Sequence, residues 1–259
     1  MSQPIITLTT DFGHKSGFVG IMKGVILGIA TETTVVDISH EIAPQDILEA
    51  QFLLKRAAPY FPINTIHVAV IDPGVGTNRR PILVRTKRCV LVGPDNGIFT
   101  PWLDEGEVRH LNRKKFFNPK ISGTFHGRDI FAPVAAYLAR GIKPEDMGPV
   151  ITDPVRKSLP APQIKSDKII GEVIHIDDFG NLVTNIAAEI LADLREPVIR
   201  IGRKKIKGLV NAYGNAKTGE PCALIGSHGN LEIAVPMGNA SKILGAKRGQ
   251  RVSVSINRP

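Results

Sequence analysis

Between Pro4 and Ile71 the chain alternates short strand-like apolar runs with stretches whose apolar residues recur at helical spacing, and this alternation constrains the fold more than any other feature. Pro4 to Thr9 reads as a strand. Phe18, Ile21, Met22, Val25 and Ile26 then mark a helix to about Ala30, with Ser16 placed to cap it. Thr33 to Ile38 returns as a strand, Pro44 suits the first turn of a helix running to about Ala58, and Thr65 to Ile71 is an unbroken apolar strand. Strand, helix, strand, helix, strand predicts an α/β domain with a mostly parallel sheet. Ile82 to Arg85 and Cys89 to Val92 read as paired strands, and Ile130 to Ala139 as a helix in which Pro133 is tolerable only near the first turn.

The pattern changes after Gly148, where Pro149, Pro154, Pro160 and Pro162 fall within a short span. The expected organisation is an N-terminal α/β domain over 1–150, a Pro-rich linker over 151–168 and a smaller C-terminal domain over 169–259. In that last part Ile169 to Ile176, Val198 to Ile201, Lys205 to Val210, Cys222 to Ile225, Leu231 to Val235 and Arg251 to Ile256 read as short strands, with Asn185 placed to cap a short helix. Many short strands between Gly-rich turns predict a small β-barrel or sandwich.

A chain of 259 residues with 42% hydrophobic content can bury a sizeable core. No stretch approaches the roughly 18 consecutive apolar residues of a membrane helix, and Met1-Ser2-Gln3-Pro4 leads into a strand without a signal-peptide profile, so a cytoplasmic location is expected and no membrane partner. Cys89 and Cys222 stand far apart and outside any Cys-x-x-Cys pair, which predicts buried thiols and no structural metal. The net charge of +9 invites nucleic acid, but the basic residues are scattered and aromatic residues make up only 5% of the chain, so stacking platforms are scarce and no nucleic-acid partner is expected.

The strand ending at Ile71 delivers Asp72 into Pro73-Gly74-Val75-Gly76, with Arg79 seven positions after the acid. The ordinary reading of Asp-Pro-Gly is a turn. The chemical reading is that a carboxylate near a guanidinium stays ionised and orients a proton-bearing nucleophile, at a strand end where ligands of open α/β sheets sit. Familiar alternatives fail. Gly74-Val75-Gly76 lacks the third glycine of a dinucleotide fingerprint, no phosphate-binding Gly-Lys-Ser/Thr loop occurs, His40-Glu41 runs into Pro44 rather than a second histidine, and there is no Gly-x-Ser-x-Gly elbow.

What remains is an ordered set of motifs: Thr10-Asp11-Phe12-Gly13, Asp72-Pro73-Gly74-Val75-Gly76 with Arg79, Gly93-Pro94-Asp95-Asn96-Gly97, Phe125-His126-Gly127-Arg128-Asp129, Asp177-x-Phe179-Gly180-Asn181-x-x-Thr184-Asn185 and Ser227-x-x-x-Leu231-Glu232-Ile233-Ala234. In this order they resemble the S-adenosyl-L-methionine (SAM) hydroxide adenosyltransferases, adenosine-forming hydrolases related to the fluorinase and chlorinase. The resemblance covers essentially the whole chain.

The resemblance implies hydrolysis of SAM to adenosine and L-methionine by in-line attack of water or hydroxide at ribose C5′. It also implies an N-terminal α/β domain, a C-terminal β-barrel-like domain, a homotrimer with sites at subunit interfaces, and no metal or organic cofactor, SAM being the substrate. Asp72, Arg79 and His126 resemble the water-activating residues. Asp11 matches the acid that takes both ribose hydroxyls, Asp177 or Asp178 the acid for the methionine ammonium, Asn181 the amide that reads adenine, and Tyr213 a ring against the base. Ser227 matches a residue at the methionine carboxylate, and Glu232 and the Val235 backbone lie where relatives contact substrate. Gly127 stands where the fluorinase has serine, and the chain has no room for the fluorinase insertion. His228 stands where the fluorinase has an arginine near the methionine carboxylate. The rival readings are a chloride-using halogenase and a non-catalytic module that binds SAM or nucleic acid.

Overall fold

The computed structural model describes residues 3–256. The chain divides into two compact units, residues 1–158 and 159–259. In the first, β1 (Ile5–Thr10), β2 (Thr34–Ser39), β3 (Thr65–Val70), β4 (Pro81–Arg85), β5 (Cys89–Pro94) and β6 (Glu107–His110) form one sheet in the order β2-β1-β3-β5-β4-β6. β2, β1, β3 and β5 run parallel, whereas β4 is antiparallel to both β5 and β6. Helices α1 (Phe18–Ile29), α2 (Ile47–Ala57) and α3 (Ala132–Ala139) pack on it.

Every residue of β3 is buried. Ile66, Val68 and Val70 enter one core with Val19, Met22 and Ile26 of α1 and Val134 and Ala135 of α3. Ala69 and the following Ile71 enter a second core with Ile47, Ala50 and Leu54 of α2. A strand covered on both faces carries a continuous apolar run instead of an alternating one, as Thr65 to Ile71 does.

The expected helix starts are corrected. Ser16 does not cap α1; Gly17 precedes it in the left-handed conformation at φ 69°, and no side chain caps it. Pro44 does not open α2, because Gln45 takes φ 66° and breaks the helical path. Asp46 is the cap instead, its Oδ1 accepting the Glu49 N–H at 2.9 Å. The segment from Pro149 to Lys157 is bonded along the first unit: Ile151 N–H reaches the Val108 carbonyl at 2.9 Å, Val155 N–H reaches Asp95 Oδ1 at 2.8 Å, and Gln51 Nε2 donates to the Lys157 carbonyl at 2.7 Å.

The second unit is antiparallel throughout. Its strands are β7 (Gln163–Ile164), β8 (Lys168–Ile176), β9 (Leu182–Ala187), β10 (Val198–Ile201), β11 (Lys204–Lys207), β12 (Cys222–Ile225), β13 (Asn230–Ala234) and β14 (Arg251–Ser255), with short helices α4 (Ala188–Leu191) and α5 (Ala240–Leu244). They join in the order β11-β10-β14-β8-β9-β13-β12, and β7 also pairs with β8. The long β8 pairs with β14 from Lys168 to Glu172 and with β9 from Val173 to Ile176, the latter across a bulge. A bulge of this kind bends the strand and increases its twist, so the sheet curls around Ile169, Val173, Leu182, Ile199, Leu231, Ile233 and Val252 as a barrel-like fold.

Asn185 does not cap a helix; it lies within β9. Its Oδ1 accepts the Glu172 N–H at 2.8 Å where the β8–β9 ladder stops, and its Nδ2 donates to the Pro160 carbonyl at 2.8 Å. Cys89 and Cys222 are both buried and unbridged. Among the described residues no helix is long and apolar enough to cross a membrane.

Candidate active site

Asp72 leaves the sheet one residue beyond the buried Ile71, and the loop after it is two successive turns. Val75 N–H bonds to the Asp72 carbonyl at 3.2 Å, and Thr77 N–H and hydroxyl bond to the Gly74 carbonyl at 3.2 and 2.7 Å. Gly76 is required here: its φ is 78°, and a Cβ would come within 2.4 Å of the Gly123 carbonyl oxygen. The turns bring Arg79 back onto Asp72, with Arg79 Nε donating to Asp72 Oδ1 at 3.0 Å and Nη2 to Oδ2. Both side chains are nearly closed to solvent, Arg79 7% and Asp72 5% exposed. Asn96 steadies the strand end by donating Nδ2 to the Ile71 carbonyl at 2.8 Å.

His126 arrives from a different part of the chain. The helix expected over Ile130 to Ala139 is α-helical only from Ala132; Gly127–Phe131 form a wider π turn in which Ala132 N–H reaches back to the Gly127 carbonyl. Pro133 offers no N–H to an α-type ladder at this point, and π turns of this kind recur at functional sites. The half-buried His126 sits at the head of the turn with Nδ1 3.0 Å from Arg79 Nη2. Asp129 braces the same turn by accepting from Arg128, Asn118 Nδ2 and Ser122 N–H.

A guanidinium only donates, so His126 Nδ1 accepts and the ring proton belongs on Nε2. Burial and then Arg79 lower the His126 pKa below its ordinary 6.5, against a smaller upward pull from Asp72 and Asp129. The imidazole is therefore neutral near pH 7. Arg79 Nη1 is buried and bonds to nothing among the described residues, which leaves its two cationic N–H hydrogens available beside the carboxylate. Beneath the guanidinium lies Phe131, with Arg79 Cζ 5.4 Å from the ring centroid. Phe131 was not singled out from the sequence, since a phenylalanine in an apolar helical run has an ordinary core reading.

Asp11 follows β1 and accepts the Gln45 N–H on Oδ2 at 2.8 Å. Phe12, Phe18 and Phe125 pack edge to face with centroids 5.0 to 5.9 Å apart. The buried Gly127 lies against them: a Cβ there would stand 3.1 Å from Met22 Sδ and 3.3 Å from a Phe125 ring carbon. The Gly93 to Gly97 motif is largely structural, because buried Asp95 takes Arg80 Nε and Nη2 at 2.9 and 2.7 Å together with the Val155 N–H.

In the second unit Asp177 and Asn181 close on each other. Asp177 Oδ1 accepts the Asn181 N–H at 2.8 Å and Oδ2 accepts Asn181 Nδ2 at 2.9 Å, while Asp178 is exposed. Tyr213 donates its hydroxyl to Glu232 Oε1 at 2.5 Å. Burial and the Glu232 carboxylate hold the phenol well above its ordinary pKa, so it remains the donor. Tyr213 as a residue is 44% exposed, and Glu232 is 2% exposed. His228 Nε2 lies 3.7 Å from Glu232 Oε2, and Ser227 Oγ lies 3.4 Å from His228 Nδ1. Val235 is buried and spends its carbonyl on the Gly238 N–H at 2.9 Å. Among the described residues no group of three or more His, Cys, Asp or Glu side chains is arranged to hold a metal ion.

An α/β unit presenting a carboxylate, guanidinium and neutral imidazole at the end of a central strand, followed by an antiparallel barrel-like unit, defines a class of chain suited to activating a small nucleophile. Residues 6–148 match the SAM hydroxide adenosyltransferase N-terminal domain and residues 171–253 match the C-terminal domain, so the chain belongs to that family. It is 38% identical to an (R)-S-adenosyl-L-methionine hydrolase of Thermus thermophilus, over 96% of this chain and 98% of the relative. It is 36% identical to a protein of the same name from Salinispora tropica, over 97% of this chain and 98% of the relative. A crystal structure of a conserved protein from Thermotoga maritima superposes with a TM-score of 0.90 at 38% identity, covering 96% of this chain and 99% of that one.

Proposed function

We propose that this chain hydrolyses SAM to adenosine and L-methionine by attack of water at ribose C5′, and that it acts on the (R) sulfonium its relatives are named for. The observation that carries the reading is the contact of Asp72, Arg79 and His126, the histidine lying 47 residues beyond the arginine it meets. The leaving group is a sulfonium that departs as a neutral thioether, so no general acid is needed. The nucleophile limits the reaction.

Asp72 accepts a hydrogen bond from the water and takes its proton as the C–O bond forms, a role that typically contributes about 10²–10⁴-fold. Arg79 holds both carboxylate oxygens and offers an N–H of its unbonded Nη1 to the developing hydroxide. His126, neutral and carrying its proton on Nε2, is a second donor. Holding the oxygen in line with the C5′–S bond contributes up to about 7–11 kcal/mol. One water and one SAM cation give adenosine, methionine and one proton, with SAM as substrate and no organic cofactor or metal.

Asp11 takes the ribose hydroxyls. Asn181 reads adenine and Tyr213 lies against it, its hydroxyl anchored by Glu232. Asp178, exposed and outside the Asp177–Asn181 pairing, is better placed than Asp177 to meet the methionine ammonium, and Ser227 meets the carboxylate. The Val235 backbone completes the substrate contacts. In this reading the chain is a cytoplasmic homotrimer with sites at subunit interfaces. The test is incubation with (R) and (S) SAM in chloride-free labelled water, with products followed by mass detection. Adenosine carrying heavy oxygen at the 5′ position is expected from the (R) form. Binding without turnover would refute catalysis, and a 5′-chloro nucleoside in high chloride would refute hydrolysis as the main reaction.

A further inference from the structure

The mechanism makes no use of His40, a 1% exposed residue just after β2. Its Nδ1 lies 2.8 Å from Thr10 Oγ1, and that hydroxyl accepts the Phe12 N–H at 3.3 Å. The His40 carbonyl accepts the Gly13 N–H at 2.8 Å. Its Nε2 stands 3.0 Å from Asp37 Oδ1, and Asp37 Oδ2 receives Lys23 Nζ of α1 at 2.6 Å. The residues on either side of Asp11 are thus tied to one buried residue: Thr10, and Phe12 through the Thr10 hydroxyl, to the His40 ring, and Gly13 to the His40 backbone carbonyl. Asp11 itself takes the Gln45 N–H on Oδ2, and among the described residues its Oδ1 accepts no hydrogen bond.

We propose that His40 is a positioning residue for Asp11: through Thr10 and its own carbonyl it sets the loop so that the Asp11 carboxylate meets both ribose hydroxyls. This rests on the reading of Asp11 as the ribose acid. An imidazole suits the position because its Nδ1 edge is an acceptor for the Thr10 hydroxyl while its opposite edge faces the Asp37 carboxylate at 3.0 Å. Thr10 is fully buried, so its hydroxyl has no solvent to turn to. A carboxylate that must engage two hydroxyls at once tolerates little displacement, and a shift of about 1 Å costs about 10²-fold.

The experiment compares His40→Leu, His40→Asn, Thr10→Val and Asp11→Asn, singly and with Asp11→Asn combined with each of the others. KM and kcat with SAM are measured, together with SAM binding by calorimetry. His40→Leu and Thr10→Val are expected to raise KM and Kd by about ten- to a hundredfold with kcat at saturation within about fivefold. His40→Asn keeps an acceptor near the Nδ1 position and is expected to restore binding to within about threefold. Neither His40→Leu nor Thr10→Val should weaken binding further once Asp11 is Asn. If His40→Leu fails to fold, Thr10→Val, which preserves shape, decides by the same criteria. Unchanged KM in these variants beside a damaged Asp11→Asn enzyme would overturn the role of His40 alone, as would additive effects. An Asp11→Asn enzyme with normal Kd would instead overturn the ribose reading and this inference with it.

Discussion

Acidification should destabilise the first unit through His67, a residue of β3 far from the proposed chemistry. The ring is 0% exposed, its Nδ1 is 2.8 Å from Thr7 Oγ1, Phe61 packs edge-on at 5.5 Å, and Nε2 has no hydrogen-bond partner among the described residues. Burial pushes its pKa down from 6.5 to about 4. The unfolded chain then binds a proton that the folded one refuses. Above pH 6.5 both states are neutral and the contribution is complete. It is lost as pH falls from 6.5 toward 4, and below about 4 both states are protonated and the loss is complete. A gap of about 2.5 units at 1.36 kcal/mol each amounts to about 3 kcal/mol. Urea unfolding from pH 7.5 to pH 4, read by the single tryptophan, Trp102 of this unit, isolates the effect when compared with His67→Asn. The substitution destabilises at neutral pH, and the gap between the two proteins should narrow by about 3 kcal/mol at pH 4. Parallel pH curves would show that His67 is not held neutral by burial.

At the site, Asp72→Asn should lower kcat by about 10²–10⁴-fold while SAM binding persists, because the base is removed and the substrate contacts are not; calorimetry beside single-turnover kinetics checks both halves. The same change weakens the buried pair with Arg79 and should lower stability by about 3–5 kcal/mol in urea titration. Since the neutral His126 ring accepts from Arg79 and burial lowers its pKa below 6.5, the acid-side decline in turnover should be centred below pH 6.5; a decline centred above 6.5 would contradict that state. Gly127→Ser should cost about 1–3 kcal/mol, because the new Cβ begins 3.1 Å from Met22 Sδ. That variant should yield no 5′-chloro nucleoside in high chloride, as followed by mass detection.

Much of the architecture is legible along the chain. Continuous apolar runs such as Thr65 to Ile71 mark strands covered on both faces, and the change after Gly148 to short runs between glycines marks the antiparallel unit. The helix starts were less legible. Gln45 adopts φ 66°, and its N–H is taken by Asp11, a residue 34 positions away. Asn185 has the composition of a cap, yet its amide serves Glu172 and Pro160. A side chain that bonds equally well to a helix terminus or a broken ladder is resolved only by what lies opposite it.

Local composition by itself determined where each acid leaves the sheet, because burial periodicity and turn residues act over a few positions. Asp11 after β1 and Asp72 after β3 follow from that alone. Only the tertiary structure decided that Arg79 turns back onto Asp72, that a π turn ahead of Pro133 carries His126 to the same guanidinium, and that Nη1 has no partner among the described residues. Hydrogen-bond direction and protonation state depend on distances between groups brought together by folding, and no spacing along a chain encodes those distances.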